Sequence, residues 1–144
     1  MPILDFNTTP NECMAQSHFL FWIVIFTGSR RYSKDPNLVV NLTPKVNDMA
    51  LMSLKAEAKS MLTVKALLLL LNWHPPKRSI SMDITFPLSG SLLHIAMQLG
   101  LHMPVASQDS SGVKVKLSEE EIHRRAELWA YCIITYQRQA FHPS

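Results

Sequence analysis

The fold is decided by one stretch near the middle of the chain, Asp83-Ile-Thr-Phe-Pro-Leu-Ser-Gly90-Ser-Leu-Leu-His-Ile-Ala-Met-Gln-Leu-Gly100-Leu-His-Met-Pro104. Leucine or isoleucine recurs at positions 88, 92, 95 and 99, which is the spacing of one buried stripe on a helix. The pattern predicts a helix over residues 87–102, and Pro104 marks its end because proline disrupts helical geometry. Gly100 predicts either a close approach by another helix or a loosened last turn.

Helical signals recur on both sides of this stretch. Thr9-Pro10 with Glu12, and Ser118 with Glu121, have the spacing of capping boxes at helix starts. Thr43-Pro44 predicts another start, after a short helical turn over residues 35–42, and Gly28 predicts the stop of the first helix. The predicted helices cover about 10–27, 44–59, 61–73, 87–102 and 118–138. Because no segment alternates with a period of two, we expect an all-α, irregular domain of about five helices.

Composition supports a folded core and weighs against two classes of surface. The 144 residues are 47% hydrophobic, with a net charge of +3 from 14 basic and 11 acidic residues. The basic residues are scattered, whereas a DNA-binding face concentrates Lys and Arg against several phosphates. The longest uncharged apolar run, residues 19–26, is far below the roughly 20 residues that span a bilayer. We therefore expect no membrane-spanning segment, and the acidic start of the chain is unlike a signal peptide.

Residues with chemical potential are few and badly spaced for a site. Cys13 and Cys132 lack a Cys-x-x-Cys partner, which excludes a thiolate zinc site, and we expect both to be small buried apolar residues. His94 and His102 stand eight residues apart, or about 12 Å along a helix, which is too far for one metal ion. The four glycines never cluster into a phosphate-binding loop.

Two further patterns have ordinary structural explanations. Cys132 lies among Trp129, Ile133 and Tyr136, an apolar setting that raises the pKa of a thiol and suppresses its reactivity. The three acids at 119–121 suit the positive end of a helix dipole, with Glu120–Arg124 and Glu121–Arg125 pairs following at favourable spacing. We therefore predict no catalytic, cofactor-binding or metal-binding residue, and no enzyme.

Two alternative functions stay open at this point. A polar stripe on the 87–102 helix is expected to line a pocket if the chain is a small ligand-binding protein or enzyme; it comprises Ser91, His94, Gln98 and His102. An apolar stripe on the last helix would serve as a helix-in-groove contact in a protein-interaction or dimerisation fragment. That stripe comprises Ile122, Ala126, Trp129, Ile133 and Tyr136.

Four blocks, taken in order, resemble the middle regulatory region of fungal zinc-cluster transcription factors, where a helix ends on Leu-Gly-Leu-His-x-Pro. The blocks are residues 17–32 (SHFLFWIVIFTGSRRY), 60–70 (SMLTVKALLLL), 88–104 (LSGSLLHIAMQLGLHMP) and 118–133 (SEEEIHRRAELWAYCI). The resemblance covers most of residues 12–138. It implies an all-helical module that regulates DNA-templated transcription in the nucleus, in some members in response to a small-molecule effector.

The same resemblance implies that parts found in other members of the family are absent from this chain. In that family an N-terminal cluster of six cysteines binds two zinc ions and reads DNA, and two cysteines cannot form it. DNA and zinc would therefore be bound only through a domain absent from this chain, in which we expect no cofactor. Family members continue beyond the helix that contains Trp129, so residues 1–144 are expected to be a partial regulatory domain. Its unpartnered apolar faces predict protein partners or self-association.

Overall fold

A computed structural model of the chain describes residues 7–32, 34–56, 59–73, 84–103 and 118–141. These residues form six α-helices and contain no strand, which confirms the predicted all-α class. The helices are α1 (Pro10–Gln16), α2 (His18–Ser29), α3 (Leu38–Lys55), α4 (Met61–Asn72), α5 (Thr85–Gln98) and α6 (Glu119–Phe141). The chain divides into two compact units, Met1–Thr85 and Phe86–Ser144.

The predicted single helix over 10–27 is wrong, because the chain breaks at Ser17. Ser17 is extended, with φ −159° and ψ 113°, and its N–H donates to the Cys13 carbonyl, which ends α1. Its Oγ accepts the Leu20 N–H at 3.1 Å, which starts α2. A serine side chain can satisfy backbone groups that a continuous helix would otherwise satisfy, and here it caps two helices in succession. Gly28 lies inside α2 and does not stop it.

The predicted helix start at Thr43-Pro44 is also wrong, because both residues lie inside α3. The helix begins at Leu38, absorbs most of the predicted 35–42 turn, and ends at Lys55 before the extended Ala56. Pro44 offers no N–H to the carbonyl of Val40. One residue earlier, the Thr43 hydroxyl donates to the Val39 carbonyl at 2.7 Å. Burial of Val46 and Ala50 on one side of α3 supports the helix beyond the proline.

The first unit is built around α2, which packs against α1, α3 and α4. Leu20, Ile23 and Phe26 form the buried side of α2. On α4 the buried residues run without interruption from Ala66 to Leu71. The predicted bounds of α4, 61–73, agree with the structure to within one residue. The Nζ of Lys45 lies 3.5 Å from the ring centroid of Trp22 and so links α3 to α2.

The sequence predicts a central position for α2 because its residues are apolar on nearly every side. The structure confirms the central position but not the complete burial. Phe21 and Val24 are only half-buried, Ile25 is 40% exposed, and Gly28 is exposed. These four residues share one side of the helix, which we call the outer face of α2.

In the second unit, α5 follows the predicted stripe. Leu88, Leu92 and Ile95 are buried and Leu99 is half-buried. The helix ends at Gln98 and not at 102 as predicted, because Gly100 takes the left-handed conformation with φ 76°. The N–H of Gly100 donates to the Met97 carbonyl and that of Leu101 to the Ala96 carbonyl, which is the Schellman pattern of a helix end.

The last helix starts as predicted but buries a different side. Ser118 Oγ accepts the Glu121 N–H at 3.1 Å, and the helix runs to Phe141, three residues beyond the predicted end. The buried residues of α6 are Leu128, Cys132, Thr135 and Gln139. Of the predicted stripe, Ala126 is exposed and the other four residues are half-buried. The true buried side is therefore shifted by about one residue, so that it includes two polar side chains.

A cavity between α1, α2 and α4

The polar stripe of α5 does not form a pocket in the structure. Ser91 is half-buried, and His94, Gln98 and His102 are exposed. His102 lies beyond the end of α5, and its ring centroid is 5.9 Å from that of Trp129 at an angle of 57°. Its aromatic contact gives His102 a packing role. Among the residues that the structure describes, no group of three metal-binding side chains comes together.

Cys132 is enclosed, as its sequence setting predicts. It has no exposed surface, and burial raises the pKa of its thiol to about 12. At neutral pH the sulfur is protonated, and a thiol is a far weaker nucleophile than a thiolate. The environment therefore suits a core residue.

The acidic residues in the first turn of α6 have a structural role at the start of that helix. Arg124 Nη2 lies 2.8 Å from Glu120 Oε1, which confirms the predicted Glu120–Arg124 pair. The predicted Glu121–Arg125 pair is wrong: Glu121 Oε2 lies 3.7 Å from Arg124 Nη1. The buried Nε of Arg125 has no hydrogen-bond partner among the described residues. These exposed ion pairs stabilise the helix by a few tenths of a kcal/mol each.

The first unit contains a cavity of about 230 Å³, which we call the α1–α2–α4 cavity. The described part of its wall contains five large apolar side chains and six other residues. The apolar residues are Leu20, Phe21, Val24, Ile25 and Leu62. The remainder are Thr8, Thr9, Pro10, Cys13, Gln16 and Lys65.

The break at Ser17 creates the cavity, because it lets α1 leave the axis of α2 and pack against that helix. Reciprocal hydrogen bonds fix the start of α1: Thr9 Oγ1 accepts the Glu12 N–H at 3.2 Å, and Glu12 Oε2 accepts the Thr9 N–H at 3.0 Å. This is the predicted capping box. The cavity was missed at the sequence level because a continuous helix over 10–27 leaves no space there. The signal was Ser17 itself, a good N-cap residue directly before an apolar run.

Lys65 is the one charged residue among the described residues that line the cavity. It is half-buried on α4, a helix with no other charged residue, and it forms no ion pair with the described part of the chain. The pKa of the Cys13 thiol is raised by burial, so this lining residue is neutral near pH 7. The described lining of the cavity therefore combines apolar side chains with one basic residue.

A second, shallower depression of about 280 Å³ continues along the outer face of α2. It shares Val24 and Ile25 with the α1–α2–α4 cavity and extends to Tyr32 and Leu38. Tyr32 is 49% exposed. Apolar surface thus extends along α2 beyond the cavity.

Comparison with known proteins gives one informative similarity. The chain is 29% identical over 121 residues to the candidate transcription factor SEF1 of Kluyveromyces lactis. The match covers 83% of this chain but 11% of that relative, so the chain corresponds to a small part of the relative's length. No protein-family model and no solved structure matches the chain. Within the described residues, no helix has the length and hydropathy that a membrane span requires.

Proposed function

We propose that this chain is a helical regulatory region of a transcription factor and acts in the control of DNA-templated transcription. The observation that carries the proposal is the similarity to a candidate fungal transcription factor over 83% of the chain. The four blocks that resemble the middle region of fungal zinc-cluster factors support the same function. The all-helical fold agrees with the type of module that this resemblance implies.

The proposal assigns the chain to the regulatory side of such a factor and not to its DNA-reading side. With two cysteines and a net charge of +3, the chain has neither a six-cysteine zinc cluster nor a strongly basic surface. Zinc and DNA would be bound elsewhere in the complete factor. A nuclear location and regulation without catalysis follow from the same proposal.

Protein contacts are the proposed means of action. In the first unit, Leu51 and Met52 on α3 and Ile25 on α2 are large apolar side chains exposed by 40% or more. In the second unit, Phe86, Met103 and Ile134 are each at least half exposed. Exposed apolar surface of this kind is typical of sites that other proteins cover.

The two alternatives gain little support. The polar stripe, through His94, Gln98 and His102, faces solvent and so does not line the pocket that a ligand-binding or enzymatic function through it would require. In the proposed dimerisation stripe of the last helix, every residue except Ala126 is already half-buried within the chain, which reduces the apolar surface left for a partner.

A tethering experiment tests the proposal. Residues 1–144 are fused to an unrelated DNA-binding domain, and reporter transcription in a fungal cell is compared with that of the DNA-binding domain alone. We expect a change of several-fold in either direction. The proposal would be contradicted if reporter output equals that of the DNA-binding domain alone while the two proteins are present at the same level in the cell.

A pair of variants shows whether the effect depends on the fold. Leu67→Asp places a carboxylate at a position with no exposed surface and is expected to unfold α4 and abolish the effect. Lys55→Gln, at an exposed position in the last turn of α3, is expected to keep it. An effect that survives Leu67→Asp would mean that an unstructured segment acts, and not the helical region.

A further inference from the structure

We infer that the α1–α2–α4 cavity binds an aliphatic monocarboxylate, with its hydrocarbon chain against the α2 wall and its carboxylate paired with Lys65. This site shares Ile25 with the surface proposed for protein contacts, and it differs from that surface because Lys65 is part of its lining. It does not rest on the transcriptional function, since it follows from the lining of the cavity alone.

The wall of the cavity favours a hydrocarbon chain. Leu20, Phe21 and Val24 from α2 and Leu62 from α4 line it. Of these four side chains only Leu20 is buried in the structure, and the others keep apolar surface partly exposed. Covering such surface is favourable because it removes apolar area from water. Binding of an apolar ligand would therefore bury surface that is exposed in the unoccupied protein.

The charge of the cavity selects an anion. Among the described residues, Lys65 is the single ionic group of the lining, and no carboxylate is present there to attract a cation. The nearby carboxylate of Glu12 lies outside the lining and accepts the Thr9 N–H. A carboxylate next to Lys65 would form a charge-assisted hydrogen bond in a partly dry site, where such bonds are about twice as strong as neutral ones. Gln16 and Thr8, which also line the cavity, carry side chains that are able to donate hydrogen bonds.

The volume limits the length of the ligand. A dry cavity of about 150 Å³ accommodates benzene, which has six heavy atoms. By proportion, the 230 Å³ available here accommodates about nine or ten heavy atoms. Octanoate has that size and carries one negative charge at neutral pH, so it is the probe of choice. A longer chain would have to continue into the shallower depression beside Ile25 and Tyr32.

The first test compares three eight-carbon probes on the 144-residue protein by titration calorimetry. Octanoate is expected to bind about tenfold more tightly than octan-1-ol, because only the anion pairs with Lys65. Octylamine, which carries the opposite charge, is expected to bind most weakly. Equal affinity for octanoate and octylamine would overturn the inference.

A matched pair of variants assigns the charge to one residue. Lys65→Gln is expected to weaken octanoate binding about tenfold and to leave octan-1-ol binding unchanged. Lys55→Gln makes the same change in net charge at an exposed position outside the cavity and is expected to leave both affinities unchanged. If the two variants behave alike, the positive charge of Lys65 is not part of a site.

The two cysteines locate the ligand without any mutation of the site. Cys13 lines the cavity and is half-buried, whereas Cys132 has no exposed surface. A thiol reagent should therefore label Cys13 first, and octanoate should slow that reaction several-fold at saturation. Unchanged labelling of Cys13 under saturating octanoate would show that the ligand binds elsewhere and would overturn the inference.

Failure here is distinguishable from failure of the transcriptional proposal. Binding and labelling are measured on the isolated protein, whereas the tethering experiment is performed without added ligand. If the protein binds octanoate but leaves reporter transcription unchanged, the binding site is supported and the proposed function is contradicted. If reporter transcription changes but octanoate does not bind, the proposed function is supported and the binding site is contradicted.

Discussion

At the scale of single residues, Gly100 shows how one backbone position ends a helix. The sequence left two roles open for it, a close approach or a loosened last turn. The structure gives it a more specific role: with φ 76° it reverses the chain and lets the N–H of Leu101 reach the Ala96 carbonyl. Residues with a Cβ adopt this conformation at a cost of roughly 1–2 kcal/mol.

Replacing Gly100 should therefore weaken the second unit. Gly100→Ala is expected to lower the free energy of unfolding by about 1 kcal/mol, measured by urea denaturation followed by circular dichroism. Gly90→Ala, inside α5, is the control, because an added Cβ there would meet nothing within 4 Å. It is expected to raise the free energy of unfolding by about 0.5–1 kcal/mol. Equal effects of the two substitutions would contradict a special role for the left-handed position.

Properties that depend on immediate neighbours were predictable at this scale. The inert, buried Cys132 follows from the aromatic and aliphatic residues around it, and the Ser118 cap follows from its spacing to Glu121. The exchange of partners at the start of α6 was not predictable. Arg124 lies within reach of both Glu120 and Glu121, and side-chain rotamers, which spacing does not determine, decide the pairing.

At the scale of elements, the two largest differences from the predicted helices concern helix boundaries. One predicted helix is in fact two helices, and one predicted helix start lies inside a continuous helix. The Ser17 break and the continuous α3 across Pro44 both reverse the local expectation. In α3, burial of Val46 and Ala50 beyond the proline outweighs the lost hydrogen bond. At Ser17, the hydroxyl provides a cap that makes the break inexpensive. Propensity and capping rules rank local options, but tertiary packing selects between them.

Substitutions at Ser17 test whether the break depends on its cap. Ser17→Ala removes the acceptor for the Leu20 N–H and is expected to cost about 1 kcal/mol of stability. Ser17→Gly is expected to cost only a few tenths of a kcal/mol, because glycine is tolerated at helix N-caps. Thermal unfolding of the protein, followed by circular dichroism, gives the comparison. A stabilising Ser17→Ala would indicate that a continuous helix over 10–27 is favoured after all.

At the scale of the whole molecule, sequence analysis predicted the helical class and the central place of α2 but not the cavity. A cavity depends on the angle between α1 and α2, and no periodicity in the sequence encodes that angle. Apolar residues on nearly every side of α2 predicted full burial, whereas Phe21, Val24 and Ile25 remain partly exposed beside the cavity. The apolar residues on nearly every side of α2 were therefore the sequence feature that indicated this site, because the described part of the chain leaves one apolar face of the helix partly exposed.

The outer face of α2 also governs how the isolated chain should behave in solution. Because Ile25 is 40% exposed and adjoins both depressions, we expect the protein to bind a hydrophobic dye and to self-associate as its concentration rises. Ile25→Lys should reduce both effects, because a charge at this position opposes burial of the face against a second copy. Ala15→Lys adds the same charge at an exposed position of α1 outside both depressions and should change neither. Sedimentation over a range of concentrations, with dye fluorescence in parallel, measures the difference; a wild-type monomer that binds no dye at any concentration would show that the face is too small to drive association.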